Sequence, residues 1–360
     1  MHIKNTWYVA AEPGEVAGGK LVARTILSEP VVIGRTESGK LLALQDRCPH
    51  RFMPLSLGRI IGEHLRCAYH GACFDAGGAC VAVPGQDSPP QNARIRSYPL
   101  VERHGYIWIW MGDPSLSADL GSIPEFLFRS DHPGWDGGYG HFESIHAGFR
   151  LINDNLIDVT HAEFVHPESF GCEQLRQYRN PVSGDEFVAG RMTYTSGTRE
   201  ITYRMRSLAV SEDAPFYRWM VTQGLKRDSF PEPIDFDMQV DWAAPSFTSF
   251  VLNARPAGVP VELGFKVCNM HAVTPESETT SHYFYRSVKD FGDAELTTRF
   301  MAGVGAIFSQ DQPLLEAQQR RVGTQDLFEQ RPISFAGDML QLKARKMLKE
   351  LEQAEAGPAS

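Results

Sequence analysis

The sequence predicts an α+β protein of two domains, an all-β domain over residues 1–125 and a second domain over residues 126–360. In the second domain we expect a curved antiparallel sheet packed on helices. Residues 5–110 contain short apolar runs separated by frequent turn signals, which is typical of an all-β module. Between Gly112 and Pro124 the composition changes to Asp, Ser, Pro and Gly, which indicates a linker.

The predicted second domain is strand-rich with helices at its start and end. Residues 131–140 contain one proline and four glycines and are predicted to form a loop. Two closing helices are expected at 291–322 and 335–355, and the order of elements favours an α+β domain. Between the first helix of this domain and the two closing helices, six strands are expected, at 186–195, 199–206, 234–240, 247–254, 261–272 and 281–287.

Composition excludes several classes of function. The 360 residues carry a net charge of −9 without a cluster of Lys and Arg, so a nucleic-acid partner is not expected. The sequence contains neither a signal-peptide pattern nor an apolar run long enough to span a membrane. Of the six cysteines, four are scattered singly, as expected for a reducing compartment: Cys73, Cys80, Cys172 and Cys268. We therefore expect a cytoplasmic protein without a membrane partner.

Two short motifs in the first domain combine one thiol with one imidazole each. They are Cys48-Pro49-His50 and Cys67-Ala68-Tyr69-His70. Two Cys and two His are the ligand set of a [2Fe–2S] cluster in which two His bind one iron. The same residue types could hold zinc, but zinc sites usually pair Cys with Cys and His with His along the chain. The alternation here favours the [2Fe–2S] cluster over zinc.

A second metal motif lies at 155–167. The apolar residues Ile152, Leu156 and Val159 recur at helical spacing, which predicts that Asp158 and His161 lie one turn apart on one side of a helix. Pro167 disfavours helix at the preceding residue, so the helix should end near Val165 and His166 should turn back toward the metal. Two His need a carboxylate to form the triad that binds non-haem Fe(II). The alternative is a pair of hydrogen-bonded histidines at a helix end.

The C-P-H-R motif, the C-x-Y-H-G motif and the downstream His pair together resemble the Rieske non-haem iron oxygenases. Within that family the chain is most similar to the O-demethylase and monooxygenase branch of the vanillate and dicamba type. The resemblance extends from Trp7 to the helix after Asp311. Respiratory Rieske proteins carry two further cysteines, at positions that are Met53 and Tyr69 here, so the chain agrees with the oxygenase type.

The resemblance implies further site residues. Asp311 is expected to supply the carboxylate of the iron triad, with Glu316 as the second candidate. Asn155 is expected near the iron. His271 is expected either to contact a substrate oxygen or to be a sheet histidine with an internal partner. Four aromatic residues are expected in the cavity wall or the core: Trp242, Phe250, Phe265 and Phe308.

The resemblance also implies the reaction. A ferredoxin or flavin reductase, itself fed by NAD(P)H, would deliver electrons to the cluster, and the iron would use them with O₂ to hydroxylate an aromatic substrate. For a methoxylated aromatic acid or phenol, hydroxylation of the methyl group releases formaldehyde and leaves a phenol. The alternatives are a ring-hydroxylating dioxygenase that forms cis-dihydrodiols and a Rieske electron-transfer protein without oxygenase activity.

Asp158 is expected to couple the two metal sites. On a continuous helix its carboxylate could accept a hydrogen bond from the His161 nitrogen that faces away from the iron. The resemblance implies that electrons cross between the subunits of a ring, expected to be a homotrimer, because the two sites of one chain are too far apart. A neighbour's His70 would then complete the bridge. The alternative is an Asp that only caps the helix.

Overall fold

The computed structural model describes residues 2–125, 133–178, 180–211, 214–325 and 327–356. The chain divides into two compact units. The first contains the residues up to Ile123 and the segment Thr274–Glu278, and the second contains the remainder. The division after Ile123 lies two residues before the boundary that the composition predicts. Among the described helices, none has the length and apolar character that crossing a membrane requires.

The first unit is all-β. Its strands form two three-stranded sheets, ordered β1-β10-β9 and β2-β3-β4, and one four-stranded sheet in sequence order, β5 to β8. The strands are β1 (Trp7–Ala11), β2 (Leu21–Ile26), β3 (Glu29–Arg35), β4 (Leu41–Gln45), β5 (Arg59–Ile61), β6 (His64–Arg66), β7 (Cys73–Phe74), β8 (Cys80–Ala82), β9 (Leu100–Arg103) and β10 (Tyr106–Trp110).

Two apolar cores stabilise the first unit. One lies among β1, β2, β3 and β10 and includes the fully buried side chains of Tyr8, Ile33 and Ile107. The other lies under the predicted cluster loops, and in it Cys48 and Cys67 pack with Leu65 and other apolar residues. The loops that carry the two Cys/His motifs are therefore anchored at their cysteines.

The second unit contains one eight-stranded sheet in the order β11-β18-β17-β16-β15-β14-β13-β12. Its strands are β11 (Asp136–Ile145), β12 (Val182–Ser183), β13 (Thr193–Ser196), β14 (Glu200–Val210), β15 (Ile234–Ala243), β16 (Phe247–Pro256), β17 (Phe265–Pro275) and β18 (Ser281–Lys289). The pairs from β13 to β17 and the pair β11–β18 are antiparallel, whereas β12 runs parallel to β13. The expected antiparallel sheet is confirmed, and its one described parallel pair is the short pair at this edge.

Helices cover the sheet of the second unit. They are α1 (Phe149–Ile157), α2 (Ala162–Val165), α3 (Pro215–Gly224), α4 (Ala294–Val322) and α5 (Met339–Ala356). Helix α4 packs on β11, α3 packs on β15 and β16, and α1 packs on β16 and α5. The Asp293 carboxylate caps α4 by accepting a hydrogen bond from the Leu296 N–H, as is common at helix starts.

Two local predictions are wrong, and one helix was missed. Residues 136–140, predicted as loop, begin the long strand β11. The glycines of this strand allow neighbouring side chains to pack directly on its backbone, since a Cβ on Gly140 would lie 1.9 Å from the Tyr285 ring. Residues 186–192, predicted as strand, precede the short strand β13. Helix α3 was not predicted, although Pro215 stands at its first position, where proline is favoured.

Candidate metal centres and substrate cavity

The two Cys/His motifs of the first unit lie side by side. The rings of His50 and His70 meet edge to face, with their centroids 4.7 Å apart. The thiols of Cys48 and Cys67 are also neighbours, and burial together with Cys67 raises the pKa of the Cys48 thiol. The backbone N–H groups of His50 and Arg51 act in the opposite direction by donating to Cys48. Donors directed at a buried sulfur suit a thiolate that binds a metal cluster.

The two loops share one backbone pattern. In each, the residue four positions after the cysteine donates its N–H to the cysteine carbonyl, Phe52 to Cys48 over 2.8 Å and Gly71 to Cys67 over 3.2 Å. Both donors have a positive φ, +58° for Phe52 and +78° for Gly71. Glycine adopts this conformation without cost, whereas phenylalanine does so rarely. The equivalent turns therefore present both Cys/His pairs in the same way.

Burial differs between the two ends of this ligand set. Cys48 and Cys67 are each 3% exposed, whereas His50 and His70 lie on the surface. Phe52 and Tyr69, which flank the histidines, are 61% and 52% exposed. The residues fit a [2Fe–2S] cluster whose thiolate end is buried and whose imidazole end faces outward.

In the second unit, the predicted continuous helix from Asn155 to Val165 is wrong. Helix α1 ends at Ile157, Asp158 adopts an extended conformation, and the short helix α2 begins after His161. Asp158 and His161 are therefore not one turn apart on one helix. The apolar spacing that predicted a single helix continues through the break because Val159 is buried in the turn. Helix α2 does end at Val165, as Pro167 predicts.

His161, His166 and Asp311 converge. Their ligand atoms all lie within 4.8 Å of one another. The Asp311 carboxylate lies between the rings, with Oδ1 at 3.5 Å from His161 Nε2 and Oδ2 at 3.3 Å from His166 Nε2. Two imidazoles and one carboxylate facing a common point are the donor set of the facial triad for Fe(II). The residues present fit that metal.

Helix α4 brings Asp311 to the two histidines. Pro313 stands inside this helix and lacks the N–H that would bond to the turn before it. Glu316, the second candidate for the carboxylate, lies elsewhere: it accepts hydrogen bonds from the Gln312 side chain and the His146 N–H. It is absent from the converging group in the described part of the chain.

Two amides orient the triad. Gln310 Oε1 lies 2.6 Å from His166 Nδ1, so the ring donates there and keeps Nε2 directed at Asp311. Burial lowers the pKa of His166, but Asp311 and Gln310 outweigh this effect and raise it above the usual value. Asn155 Nδ2 donates to Asp311 Oδ1 over 3.3 Å and lies 3.4 Å from His161 Nε2. Asn155 therefore lies beside the triad, where it was expected. Gln310 was not predicted from the sequence.

Asp158 does not bind His161 within this chain. Its Oδ1 accepts hydrogen bonds of 2.7 Å from both the N–H and the hydroxyl of Thr160. His161 Nδ1 is buried and has no hydrogen-bond partner among the described residues. The hydrogen bond expected from continuous helical spacing is therefore absent, because the helix break turns the carboxylate toward Thr160. The side chains of Asp158 and His161 nevertheless lie together in the walls of two cavities, one of which is the substrate cavity described next.

A largely apolar cavity opens beside the triad. Asn155, Asp158 and the three triad residues lie in its wall. The apolar and aromatic part of the wall comes from α3, α4, β16 and the segment after α2, and it includes Phe170, Phe216, Phe250, Val304, Ile307 and Phe308. Such a wall suits a flat aromatic ligand and keeps water from it. Of the other two aromatic candidates, Trp242 is fully buried in the sheet, and Phe265 packs against Phe291 with ring centroids 5.7 Å apart.

His271 also lies in the wall of this cavity. It is 1% exposed and packs edge to face against Phe250 and Phe308, at 5.2 and 4.8 Å between centroids. Burial lowers its pKa to about 3, and the nearby Asp311 opposes this only partly, so the ring is neutral. Its Nδ1 lies 2.7 Å from the Tyr283 hydroxyl. Asn269 and Tyr283 are cavity residues that sequence reasoning missed.

Comparison with known proteins identifies both units. Residues 6–99 match the model of the Rieske [2Fe-2S] domain, and residues 145–354 match the vanillate O-demethylase oxygenase C-terminal domain. The oxygenase component of dicamba O-demethylase from Stenotrophomonas maltophilia is 35% identical, with 98% of this chain and 99% of that protein covered.

Solved structures agree. Dicamba monooxygenase bound to 3,6-dichlorosalicylic acid superposes with a TM-score of 0.84 at 32% identity, and the match covers 99% of both chains. Dicamba monooxygenase with non-heme iron and dicamba superposes with a TM-score of 0.78 at the same identity and coverage. The predictions of an oxidoreductase with a [2Fe–2S] cluster and a mononuclear iron are thereby confirmed. The chain belongs to the Rieske non-haem iron oxygenases, in the branch that shares the vanillate O-demethylase oxygenase C-terminal domain.

Proposed function

We propose that this chain is the terminal oxygenase of a multicomponent system that removes a methyl group from a methoxylated aromatic acid or phenol. The observation that carries the proposal is the convergence of His161, His166 and Asp311 on a cavity with aromatic walls. Two relatives named for O-demethylation support it: the dicamba O-demethylase oxygenase component and a vanillate O-demethylase oxygenase subunit are 35% and 33% identical over 98% and 89% of this chain.

We assign the metal ligands on the same basis. Cys48, His50, Cys67 and His70 would hold the [2Fe–2S] cluster, and His161, His166 and Asp311 would hold the mononuclear iron. When bound, the cluster supplies single electrons and the iron supplies the activation of O₂.

The protein residues would position the substrate and exclude water. Gln310 and Asn155 hold the His166 ring and the Asp311 carboxylate in place. The aromatic wall excludes water from the methyl group that is hydroxylated, and His271 would contact a polar group of the ring. Hydroxylation of a methoxy carbon gives a hemiacetal, which breaks into formaldehyde and a phenol without a protein nucleophile.

A turnover experiment tests this function. The holoenzyme is incubated with O₂ and with electrons from a ferredoxin and flavin reductase supplied with NAD(P)H. Methoxylated benzoates, phenols and benzamides are the substrates, and formaldehyde and O₂ uptake are followed. Formaldehyde matched to O₂ uptake is expected. A cis-dihydrodiol without formaldehyde would assign the chain to ring dihydroxylation, and an iron content no higher than that of the cluster would assign it to electron transfer.

We also propose that the working unit is a homotrimer in which Asp158 couples the metal sites of adjacent subunits. Two exposed surfaces support this proposal. Around Asp158, Leu314 and Ile333 are 53% and 85% exposed, and both line a groove that Asp158 and His161 share. The exposed imidazoles of the first unit would dock there, with the partner subunit's His70 next to Asp158. Sedimentation of Ile333→Glu tests this docking, because a charge in the interface should dissociate the trimer.

The cytoplasmic location remains a prediction. Cys73 and Cys80, which we assign to neither metal site, are free thiols, which suits a reducing compartment.

A further inference from the structure

A second cavity, which we call the corridor, lies next to the substrate cavity. Six residues of α4 lie in its wall and recur at the spacing of one helix face: Leu296, Arg299, Phe300, Gly303, Val304 and Ile307. The same face of α4 continues into the wall of the substrate cavity with Val304, Ile307, Phe308 and Asp311. The corridor and the substrate cavity therefore follow one another along a single helix face, which leads to the predicted iron ligand.

The corridor changes from polar to apolar along its length. Glu168 and Arg299 in its wall are exposed, whereas Phe300 and Val304 are only 4% and 3% exposed. At 1.5 Å per residue, Arg299 lies about 18 Å from Asp311 along the axis of α4. The corridor thus has a polar mouth at the surface and an apolar end beside the substrate cavity, which suits an arene that leaves water.

Helix α3 supplies another part of the corridor wall, with Pro215, Phe216, Trp219 and Gln223. The Trp219 ring stacks on Phe300 of α4, with centroids 5.9 Å apart, and Phe216 stacks on Trp219 at 5.5 Å. Phe216 also meets Phe170 edge to face at 6.1 Å, and Phe170 lies in the wall of the substrate cavity. Phe216 therefore stands where the corridor meets the substrate cavity.

Three apolar side chains are shared by the walls of both cavities: Phe216, Val304 and Ile307. Val304 is almost fully buried and β-branched, so its side chain is stiff. Phe216 is half-buried, and its backbone is held because its N–H donates to the Ser169 carbonyl over 3.1 Å. Side chains that are not fully buried change rotamer quickly. The Phe216 ring can therefore move aside while helix α3 stays in place.

We propose that the corridor is the route by which the substrate enters and the product leaves, and that the Phe216 ring is the gate at its inner end. The ring closes the substrate cavity on the arene after entry and so helps to keep water out during the reaction. The inference rests on the proposed function for which cavity holds the substrate. It adds residues that control the rate of entry and lie outside the iron triad.

Gly303 allows the corridor to be closed without a change in the substrate cavity. It lies in the wall of the corridor and not in that of the substrate cavity. A Cβ at this position would meet no atom within 4 Å, so a larger side chain would extend into open space. Gly303→Phe is expected to fill the corridor. Ala302→Phe is the matched control, because Ala302 is exposed, lies about 100° around the helix and is not part of the corridor wall.

The rates of probe binding test the route. The oxygen-free holoenzyme is mixed with vanillate, 2-methoxybenzoate or guaiacol in a stopped-flow instrument, and tryptophan fluorescence is followed. Gly303→Phe changes the path but neither the free nor the bound state. Association and dissociation should therefore slow together, by at least about tenfold, while the Kd from calorimetry stays within about twofold of the wild-type value. Ala302→Phe should bind at the wild-type rates.

Several outcomes would overturn the route. Wild-type association rates in Gly303→Phe would do so, and so would equal slowing in Ala302→Phe. A changed Kd with an unchanged association rate would mean that the bound probe itself occupies the corridor. Absence of binding by all three probes would also count against the proposal, because an open route admits arenes of this size.

A second variant tests the gate. Phe216→Ala removes the ring between the two cavities and is expected to raise the association rate of the probes at least about threefold. The melting temperature of this variant shows whether it is folded. An unchanged association rate in the folded variant would show that the ring does not limit entry.

The outcome for the route is separable from the outcome for the reaction. Binding that Gly303→Phe slows, in a protein that releases no formaldehyde from any methoxylated arene, would overturn the proposed demethylation and leave the corridor as the route. Formaldehyde release by the wild type, combined with unaltered binding rates in Gly303→Phe, would do the reverse.

Discussion

The side-chain oxygen of Gln310 lies 2.6 Å from Nδ1 of His166, while the other ring nitrogen, Nε2, lies 3.3 Å from Asp311. His166 is 3% exposed, so its N–H has no access to water in place of Gln310. This amide fixes both the tautomer and the orientation of a predicted iron ligand, which is how outer hydrogen bonds usually tune metal sites.

Replacing Gln310 should weaken iron binding. Gln310→Leu leaves the His166 N–H buried without an acceptor, and we expect the affinity for the mononuclear iron to fall about 10- to 100-fold. Gln310→Glu, which keeps an acceptor at the same place, is the control and should retain iron. Titration of the metal-depleted protein with Fe(II) measures both. Wild-type affinity in Gln310→Leu would mean that the hydrogen bond does not support the ligand.

The carboxylate ligand should be Asp311 rather than Glu316. Asp311→Ala is expected to lose the mononuclear iron and all oxygenase activity while the cluster spectrum stays unchanged. Glu316→Gln changes a carboxylate on the same helix that bonds to Gln312 and His146, and it should keep both metals. Iron analysis combined with visible spectra distinguishes the two sites. Full iron content in Asp311→Ala would exclude it as a ligand.

The cluster should have the potential of mixed Cys and His ligation. Two neutral imidazoles make the cluster less negative, so we expect a reduction potential between about −150 and +300 mV. His70→Cys should lower it by about 100 mV or more, toward that of clusters held by cysteines alone. Cys73→Ser is the control, since the Cys73 thiol bonds to the Gly71 carbonyl. A redox titration with a potential near about −400 mV for the wild type would contradict the ligand assignment.

Asp158 is expected to control electron transfer between subunits. Asp158→Asn keeps the size of the side chain and removes its charge, so both metals should load. After rapid mixing of the reduced protein with substrate and O₂, cluster oxidation should slow about 100-fold. Thr160→Val removes the hydroxyl that donates to Asp158 and should leave this rate nearly unchanged. If both variants oxidise at the wild-type rate and only lose stability, Asp158 serves to cap the turn.

His271 should make stability depend on pH in a defined direction. Its pKa is lowered from 6.5 to about 3 in the folded protein, so the unfolded chain takes up the proton first as the pH falls. Stability is therefore complete above pH 6.5 and is lost toward pH 3, by at most about 1.4 kcal/mol per pH unit from this group. His271→Gln should flatten the fall of Tm over this range relative to the wild type. Parallel curves for the two proteins would show that burial does not suppress protonation of His271.

The metal motifs could be predicted from sequence because their information is local. Cys48 and His50, or His161 and His166, are a few residues apart, and Pro167 marks the end of α2 directly. The break at Asp158 could not be predicted, because apolar spacing continues through it. The spacing of apolar residues indicates which side chains are buried, but it does not indicate where the backbone leaves the helical conformation.

The missed cavity residues depend on contacts that are distant in sequence. Asn269 and Tyr283 are ordinary strand residues until the sheet places them around a cavity lined by α4. Gln310 acquires its role only through His166, which lies 144 positions earlier. Such roles follow from tertiary packing and leave no periodic signal in the sequence.

The first unit is not continuous in sequence, because the segment Thr274–Glu278 belongs to it although the rest of the unit ends at Ile123. The Thr274 hydroxyl donates to the Val9 carbonyl over 2.6 Å, and the N–H groups of Leu27 and Ser28 donate to the carbonyls of Pro275 and Glu276 over 2.9 and 2.8 Å. Recombination that exchanged only residues up to Ile123 between relatives would separate these partners. A chimera should therefore inherit the hairpin at 274–278 from the same parent as its cluster-binding half, even though about 150 codons lie between them.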